Sequence, residues 1–190
     1  MTVREVFELR RQGSLEEAYE AIRPMYAVHK GKYTTLCMFW TGNDVLWLRL
    51  AEGRTSEAVA IFRALTRVLP GVDDRDGRAH SALLRAAIRL AEVGAPGFRM
   101  LDFVAWLGVE RLTEADWQEG LARNGKPSAC LAHRMLELAF AEIQHEPTVD
   151  NALLAMPLLE ETFRRSPHAP SALRYKDQVK AIIAAAKATM

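Results

Sequence analysis

The sequence predicts an all-α protein built from stacked helical hairpins. Two observations lead to this fold class: residues recur at a spacing of forty, and apolar residues follow a helical period in nearly every segment. No window alternates with a period of two, so no strand is predicted. The recurring residues are Gly13, Glu17, Ala18, Arg23, Val28 and Gly31, which return as Gly53, Glu57, Ala58, Arg63, Val68 and Gly71, and the run 49–52, which returns as 89–92.

One helical hairpin cannot bury its own apolar faces, so the hairpins are expected to stack. We therefore predict one helical repeat domain over residues 1–190 with a C-terminal capping helix. The predicted hairpins cover about 2–30, 34–70, 78–107 and 128–166, and the capping helix covers 170–188.

The first hairpin begins with an amphipathic helix that presents Val3, Val6 and Phe7 on its apolar face and ends at Gly13. The run Ser14–Glu17 has the pattern of a capping box, in which a serine oxygen and a glutamate satisfy the first helical N–H groups. It predicts that the second helix starts near residue 15 and continues to about residue 29.

In the second hairpin, the first helix covers about 34–52 and is apolar on nearly every side, which is typical of a helix buried in the middle of an assembly. Gly42–Asp44 is expected to loosen or restart it. The next helix, about 55–69, ends at Pro70–Gly71.

The later helices are predicted from breaks in the helical period. Helices over about 78–93 and 98–107 are separated by Gly94–Gly97. A short helix starts at Thr113, and longer helices cover about 128–144 and 147–166. In the last helix the apolar residues Tyr175, Val179, Ile182 and Ala186 form one stripe, which suits a cap that covers its neighbour on one side.

Composition excludes several classes of protein. Apolar residues make up 49% and charged residues 26%, an ordinary globular balance. A formal net charge of +1 argues weakly against a nucleic-acid binder. No apolar run approaches the ~20 residues of a membrane span. The charged start at Met1–Glu5 is unlike a signal peptide, and Cys37 and Cys130 suit buried thiols, so a cytoplasmic protein is expected.

The stretch Glu52–Pro70 resembles the second half of a tetratricopeptide repeat. That family places a glycine at the turn between helices, then a small residue, an aromatic residue and a closing proline. Those places are taken here by Gly53, Ala58, Phe62 and Pro70. The resemblance implies a short right-handed α-solenoid whose first helices line a concave groove. The period of forty exceeds the family's 34.

Two other segments carry weaker likenesses. Leu153–Pro167 is similar to another second helix of a tetratricopeptide repeat. Arg23–Thr35 is similar to a segment of uncharacterised bacterial helical-repeat proteins, some of which are associated with nucleic-acid-handling modules of conflict systems. The second likeness implies a context for the chain and no residue-level mechanism.

No pattern predicts catalysis, a metal site or a cofactor, so the chain is not expected to be an enzyme. Cys130 and His133 share a helix face, but a structural zinc site needs four ligands. The run Asp73–Gly77 lacks the remaining acids of a calcium loop, and helix capping is the preferred interpretation.

Trp40, Asn43 and Trp47 are spaced to lie on one face of the third helix. Two aromatic rings flanking an amide are suited to an extended peptide, and the resemblance implies that this face points into the groove. The alternative is that both tryptophans belong to the core. The leading hypothesis is a protein-interaction scaffold that binds a peptide or helix in the groove.

Arg78, Arg85 and Arg89 form a basic stripe on the fifth helix, which suits an acidic peptide or a phosphate backbone. The simpler interpretation of these arginines is that they form the solvated face of an amphipathic helix. The alternative function is accordingly an accessory nucleic-acid-associated domain of a bacterial conflict or defence system. Self-association is a third class, and no membrane partner is expected.

Overall fold

A computed structural model describes residues 1–118, 120–121, 127–128, 130–166 and 170–188. The chain divides into two compact units, Met1–Phe98 and Arg99–Met190. The prediction of an all-α protein is confirmed, because helices dominate the described residues. The α-helices in these ranges are α1 Val3–Arg11, α2 Leu15–Val28, α3 Lys32–Ala51, α4 Thr55–Val68, α5 Arg78–Glu92, α6 Met100–Leu107, α7 Leu131–His145, α8 Val149–Arg165 and α9 Pro170–Ala188.

Unit 1 contains α1 to α5, and α3 is its central helix. In this unit α1 packs on α2 and α3 packs on α4, as the first two predicted hairpins require. The helix α3 also contacts α1, α2 and α5, which confirms that the helix with apolar residues on nearly every side is buried in the middle. The third predicted hairpin, 78–107, has its two helices in different units and stays a prediction.

The expected interruption of α3 at Gly42–Asp44 is wrong, because the helix continues from residue 32 to residue 51. The missing side chain of Gly42 allows α2 and α4 to approach closely: an added Cβ would lie 2.8 Å from Cδ2 of Leu65 and 3.2 Å from Cε2 of Tyr19. Asp44 forms an ion pair with Arg10 of α1. Tertiary packing therefore outweighs the poor intrinsic helix propensity of glycine.

The predicted capping box at the start of α2 is also wrong. Ser14 precedes α2, but its side chain accepts no capping hydrogen bond. Its ψ of 59° departs from the extended geometry of a capping residue, since the chain turns tightly through Gly13 (φ 85°). A complete capping box occurs instead at α1, where Thr2 and Glu5 bond reciprocally.

The acidic run before α5 caps that helix, as expected. The two carboxylate oxygens of Asp74 accept the backbone N–H groups of Ala79 at 2.9 Å and His80 at 2.7 Å. Asp76 accepts the N–H of Arg78 at 3.3 Å. These carboxylates satisfy helical donors that otherwise lack partners, which accounts for the run without a calcium ion.

Unit 2 contains α6 to α9, with α7 packed on α8 and both contacting α6. The start of α6 is capped from a different helix: the Glu142 carboxylate of α7 accepts the N–H groups of Met100 at 2.6 Å and Leu101 at 3.1 Å. This capping bond ties α6 to α7 across about forty residues of sequence, which the local pattern does not predict.

The predicted apolar stripe of the last helix packs against other helices of unit 2. The helix α9 packs on α8, and Tyr175 and Val179 are buried, whereas Ile182 and Ala186 are half-buried. The Tyr175 ring stacks on Phe140 of α7 with centroids 4.1 Å apart. The stripe therefore contributes to the core of unit 2.

The segment between α6 and α7 differs from the prediction. The expected short helix is a 3₁₀ turn, Glu114–Trp117, and Gly120–Leu121 pairs antiparallel with Pro127–Ser128. Two residues per strand are too few for a period of two to appear in the sequence. Consequently α7 begins at Leu131 and not at residue 128. The closing Pro167 of the weaker repeat likeness lies outside the described residues.

An ion-pair network in unit 2 connects the 3₁₀ turn to α8. Arg165 donates to both carboxylate oxygens of Glu114, at 2.8 and 2.9 Å, and lies over the Trp117 ring. Hydrogen bonds from Arg164 and then Arg165 lower the pKa of Glu161 to about 2. The network fixes the turn against the end of α8.

Candidate functional site

Two exposed and two half-buried large apolar residues of α3 lie on one side of the helix. Tyr33, Leu36, Trp40 and Trp47 follow one another at i, i+3, i+7 and i+14, so they line up along the helix axis. We call these four residues the α3 stripe. Tyr33 is 71% exposed and Trp47 38% exposed, and Leu36 and Trp40 are half-buried. The stripe extends over about 21 Å at 1.5 Å per residue.

The two tryptophans predicted for the site are therefore both in the stripe. Trp40 packs edge-on against the buried Phe39, with ring centroids 5.3 Å apart, so part of the ring is held by the core. Trp47 contacts solvent more extensively. This placement leaves both indoles with accessible surface, and neither belongs to the fully buried core of unit 1.

Asn43 lies below the α3 stripe and is only 7% exposed. Its Oδ1 atom is buried without a hydrogen-bond partner. A buried acceptor in this state costs free energy, typically about 1–3 kcal/mol. The two indoles thus form the surface, and the amide lies beneath it.

Tyr33 and Leu36 have the same spacing but were not among the residues predicted for the site. The signal was available, because both residues continue the i, i+3, i+7 pattern of Trp40 and Trp47 toward the start of the helix. Tyr33 precedes the expected start of the helix near residue 34, whereas α3 begins at Lys32. The earlier start adds two residues, about half a helical turn, and so brings Tyr33 onto the accessible face.

The basic stripe of α5 is on the surface of unit 1. Arg78, Arg85 and Arg89 are all exposed. Arg78 lies 3.0 Å from a carboxylate oxygen of Asp76, and Arg89 lies 3.5 Å from one of Glu92. Arg85 takes part in none of the ion pairs found among the described residues. Two of the three positive charges therefore have an adjacent negative charge.

Both cysteines are buried thiols that pack within the fold. Neither Cys37 nor Cys130 forms a disulfide, and both are buried. Burial raises the pKa of the Cys37 thiol, whose sulfur lies 3.8 Å from Oγ1 of Thr41. The Cys130 sulfur accepts the N–H of His133 at 3.4 Å and so caps α7, which explains their spacing. Across the described ranges, no three His, Cys, Asp or Glu residues cluster as metal ligands.

Comparisons with protein-family models, with curated proteins and with solved structures gave no match to this chain. A search of the helices within the described part of the chain found none with the length and apolar character required to cross a membrane. The interpretation of the candidate site consequently depends on its own residues.

Proposed function

We propose that this protein is a non-enzymatic interaction scaffold that binds a peptide or helix of a protein partner along the α3 stripe of unit 1. In this proposal the aromatic and aliphatic side chains of the stripe supply the contact area. An extended peptide rises about 3.3 Å per residue, so the stripe matches roughly six or seven residues. No catalytic role is proposed, and the expected compartment is the cytoplasm.

The observation that carries the proposal is the partial exposure of Trp40 and Trp47 on the central helix of unit 1. Tryptophan buries a large area and loses little side-chain entropy on binding, and it is enriched among the residues that dominate interface energies. The four residues of the stripe lie on a single rigid element, so the partner would meet an ordered surface.

The packing within unit 1 supports a tetratricopeptide-like array as the scaffold. The first helix of each hairpin packs on the first helix of the next hairpin: α1 contacts α3, and α3 contacts α5. Together with the forty-residue recurrence, this arrangement is what stacked hairpins require. We accordingly propose a short solenoid in which α3, as the middle first helix, presents the binding face.

The alternative is a nucleic-acid-associated accessory domain that uses the basic stripe of α5. The exposed Arg85, which forms no ion pair in the described ranges, favours it. The carboxylates beside Arg78 and Arg89 reduce the net positive charge there, so this function has less support. Salt distinguishes the two: binding to phosphates weakens steeply with ionic strength, whereas binding to an apolar surface does not.

The proposal is tested by selecting peptides of about twelve residues from a random displayed library against the full chain. Trp47→Ala is expected to weaken binding of the selected peptides by tenfold or more, since about 1.4 kcal/mol or more of anchor energy is lost. Binding is measured by fluorescence anisotropy. The cost in stability is expected to stay well below the roughly 3–5 kcal/mol of a buried aromatic truncation.

The chain offers a matched control in Trp106 of unit 2, which is 39% exposed, close to the value for Trp47. Trp106→Ala is expected to leave binding of the selected peptides unchanged. Equal losses in the two variants, or a Trp47→Ala variant that unfolds, would contradict the proposal.

A further inference from the structure

A cavity of about 810 Å³ lies at the start of α3, between that helix and α1. We call it the head cavity. It is lined by residues from both helices and from the link between α2 and α3, and Tyr33 belongs both to this lining and to the α3 stripe. The cavity and the stripe are therefore continuous, and a segment bound along the stripe would reach the cavity at one end.

The head cavity is rich in positive charge. Its lining includes Arg4, Arg11 and Lys32, together with His29 and the single acid Glu8. Arg4 makes none of the ion pairs found in the described part of the chain. Arg11 lies 3.0 Å from Glu8, and this pair is solvent-exposed, so it contributes little and exchanges readily.

A carboxylate outside the lining, that of Asp73, is shared between Lys32 of the cavity and Arg75. Asp73 accepts hydrogen bonds from Lys32 at 2.9 Å and Arg75 at 3.0 Å, and these partners lower the pKa of its carboxyl below the ordinary value. Counting the lining residues together with Asp73 and Arg75, cations outnumber carboxylates by two to one. Each of the two carboxylates is paired with a cation, and Arg4 takes part in none of the ion pairs found among the described residues.

Apolar surface lies beside this charge. Phe7 and Tyr33 contribute aromatic rings to the lining, and Val3 adds an aliphatic side chain. Gly31, which precedes α3, provides no capping side chain, so the first-turn N–H groups of α3 add to the positive potential. A ligand that fits both features carries carboxylates next to an apolar side chain.

We infer that the head cavity binds an acidic segment of the protein partner, so that a run of carboxylates meets Arg4, Arg11 and Lys32 while the adjoining apolar residues follow the α3 stripe. This inference rests on the proposed function and extends it by giving the partner a charge and an orientation along α3. Guanidinium groups bind carboxylates with charge-assisted hydrogen bonds, which give both affinity and direction.

The test uses two fluorescent peptides and the full chain. In one peptide a run of glutamates precedes an apolar run of leucine and phenylalanine, and in the other glutamine replaces each glutamate. We expect the glutamate peptide to bind about tenfold more tightly at low salt, and this preference to shrink as salt is added. Arg4→Glu is expected to abolish the preference, and Lys32→Gln to reduce it.

Arg67→Glu is the matched control, because it makes the same charge reversal on an exposed residue of α4 that lies outside the head cavity and outside the basic stripe of α5. It is expected to leave the preference intact. Circular dichroism and thermal melting check that each variant is folded. An equal loss in Arg67→Glu and Arg4→Glu would show an effect of net charge only and would overturn the inference.

The outcomes separate this inference from the proposed function. If Trp47→Ala weakens both peptides while Arg4→Glu leaves their ratio unchanged, the acidic segment is wrong and the proposed function stands. If neither peptide binds the wild-type chain, the inference is also wrong, whereas the proposed function is tested separately by the peptides selected from the library. If a single-stranded oligonucleotide binds more tightly than the glutamate peptide and Arg4→Glu removes that binding, the cavity takes nucleic-acid phosphates and the inference is overturned.

Discussion

Deletion of residues 171–190 is expected to make the protein aggregate or dimerise and to lower its melting temperature. The deletion removes Tyr175 and Val179, whose buried side chains pack within unit 2, and it uncovers Phe140. It is also expected to expose the apolar side of α8, including Leu158 and Leu159. An uncovered apolar face of this kind associates with other copies. Light scattering and thermal melting measure the result.

Two substitutions separate the contribution of the α9 core face from that of its solvent face. Tyr175→Ala leaves the helix in place but removes the ring stacked on Phe140, and is expected to cost roughly 3–5 kcal/mol in the free energy of unfolding. Lys180→Ala, on the exposed side, is expected to change stability by no more than about 0.5 kcal/mol. A deletion variant that stays monomeric with an unchanged melting temperature would show that α9 does not cap unit 2.

Replacement of Gly42 by valine is expected to destabilise unit 1 by roughly 1–3 kcal/mol. The new Cβ would meet Leu65 and Tyr19 at distances of 2.8 and 3.2 Å, and the valine methyl groups would add to this crowding. Both neighbours are buried, so they have little room to move. Urea unfolding followed by circular dichroism measures the change.

The control for Gly42→Val is Ala51→Val, which introduces the same side chain at the exposed end of the same helix. Its expected effect is within about 0.5 kcal/mol. If both variants lose the same stability, the cause is the helix propensity of valine and not close packing around Gly42. A Gly42→Val variant as stable as the wild type would also contradict the packing described for α3.

The helix α3 has one feature that the sequence predicts and one that it does not. Apolar residues on nearly all sides predicted its central position, since a helix with that pattern is favourable where other elements cover it. Its continuity through Gly42–Asp44 could not be predicted, because it depends on contacts with Leu65, Tyr19 and Arg10 from other helices. Local propensity and tertiary packing conflict there, and packing decides.

The candidate site likewise combines features that the local sequence predicts with features that depend on tertiary packing. The i, i+7 spacing of Trp40 and Trp47 placed them on one side of a helix, but sequence alone did not distinguish groove from core. Partial exposure of the two rings depends on how the other helices of unit 1 pack around α3. The head cavity was not predicted, because Arg4 and Lys32 belong to different helices and meet only in the folded unit.

The most direct test of the α3 stripe uses the indole N–H signals of the four tryptophans in a ¹H–¹⁵N spectrum. Trp40 and Trp47 lie in unit 1, and Trp106 and Trp117 lie in unit 2, so each unit carries two reporters. When a peptide selected against the full chain is added to saturation, the signals of Trp40 and Trp47 are expected to move while those of Trp106 and Trp117 remain in place. Movement confined to Trp106 and Trp117, or no movement of any indole signal at saturation, would contradict binding along the α3 stripe.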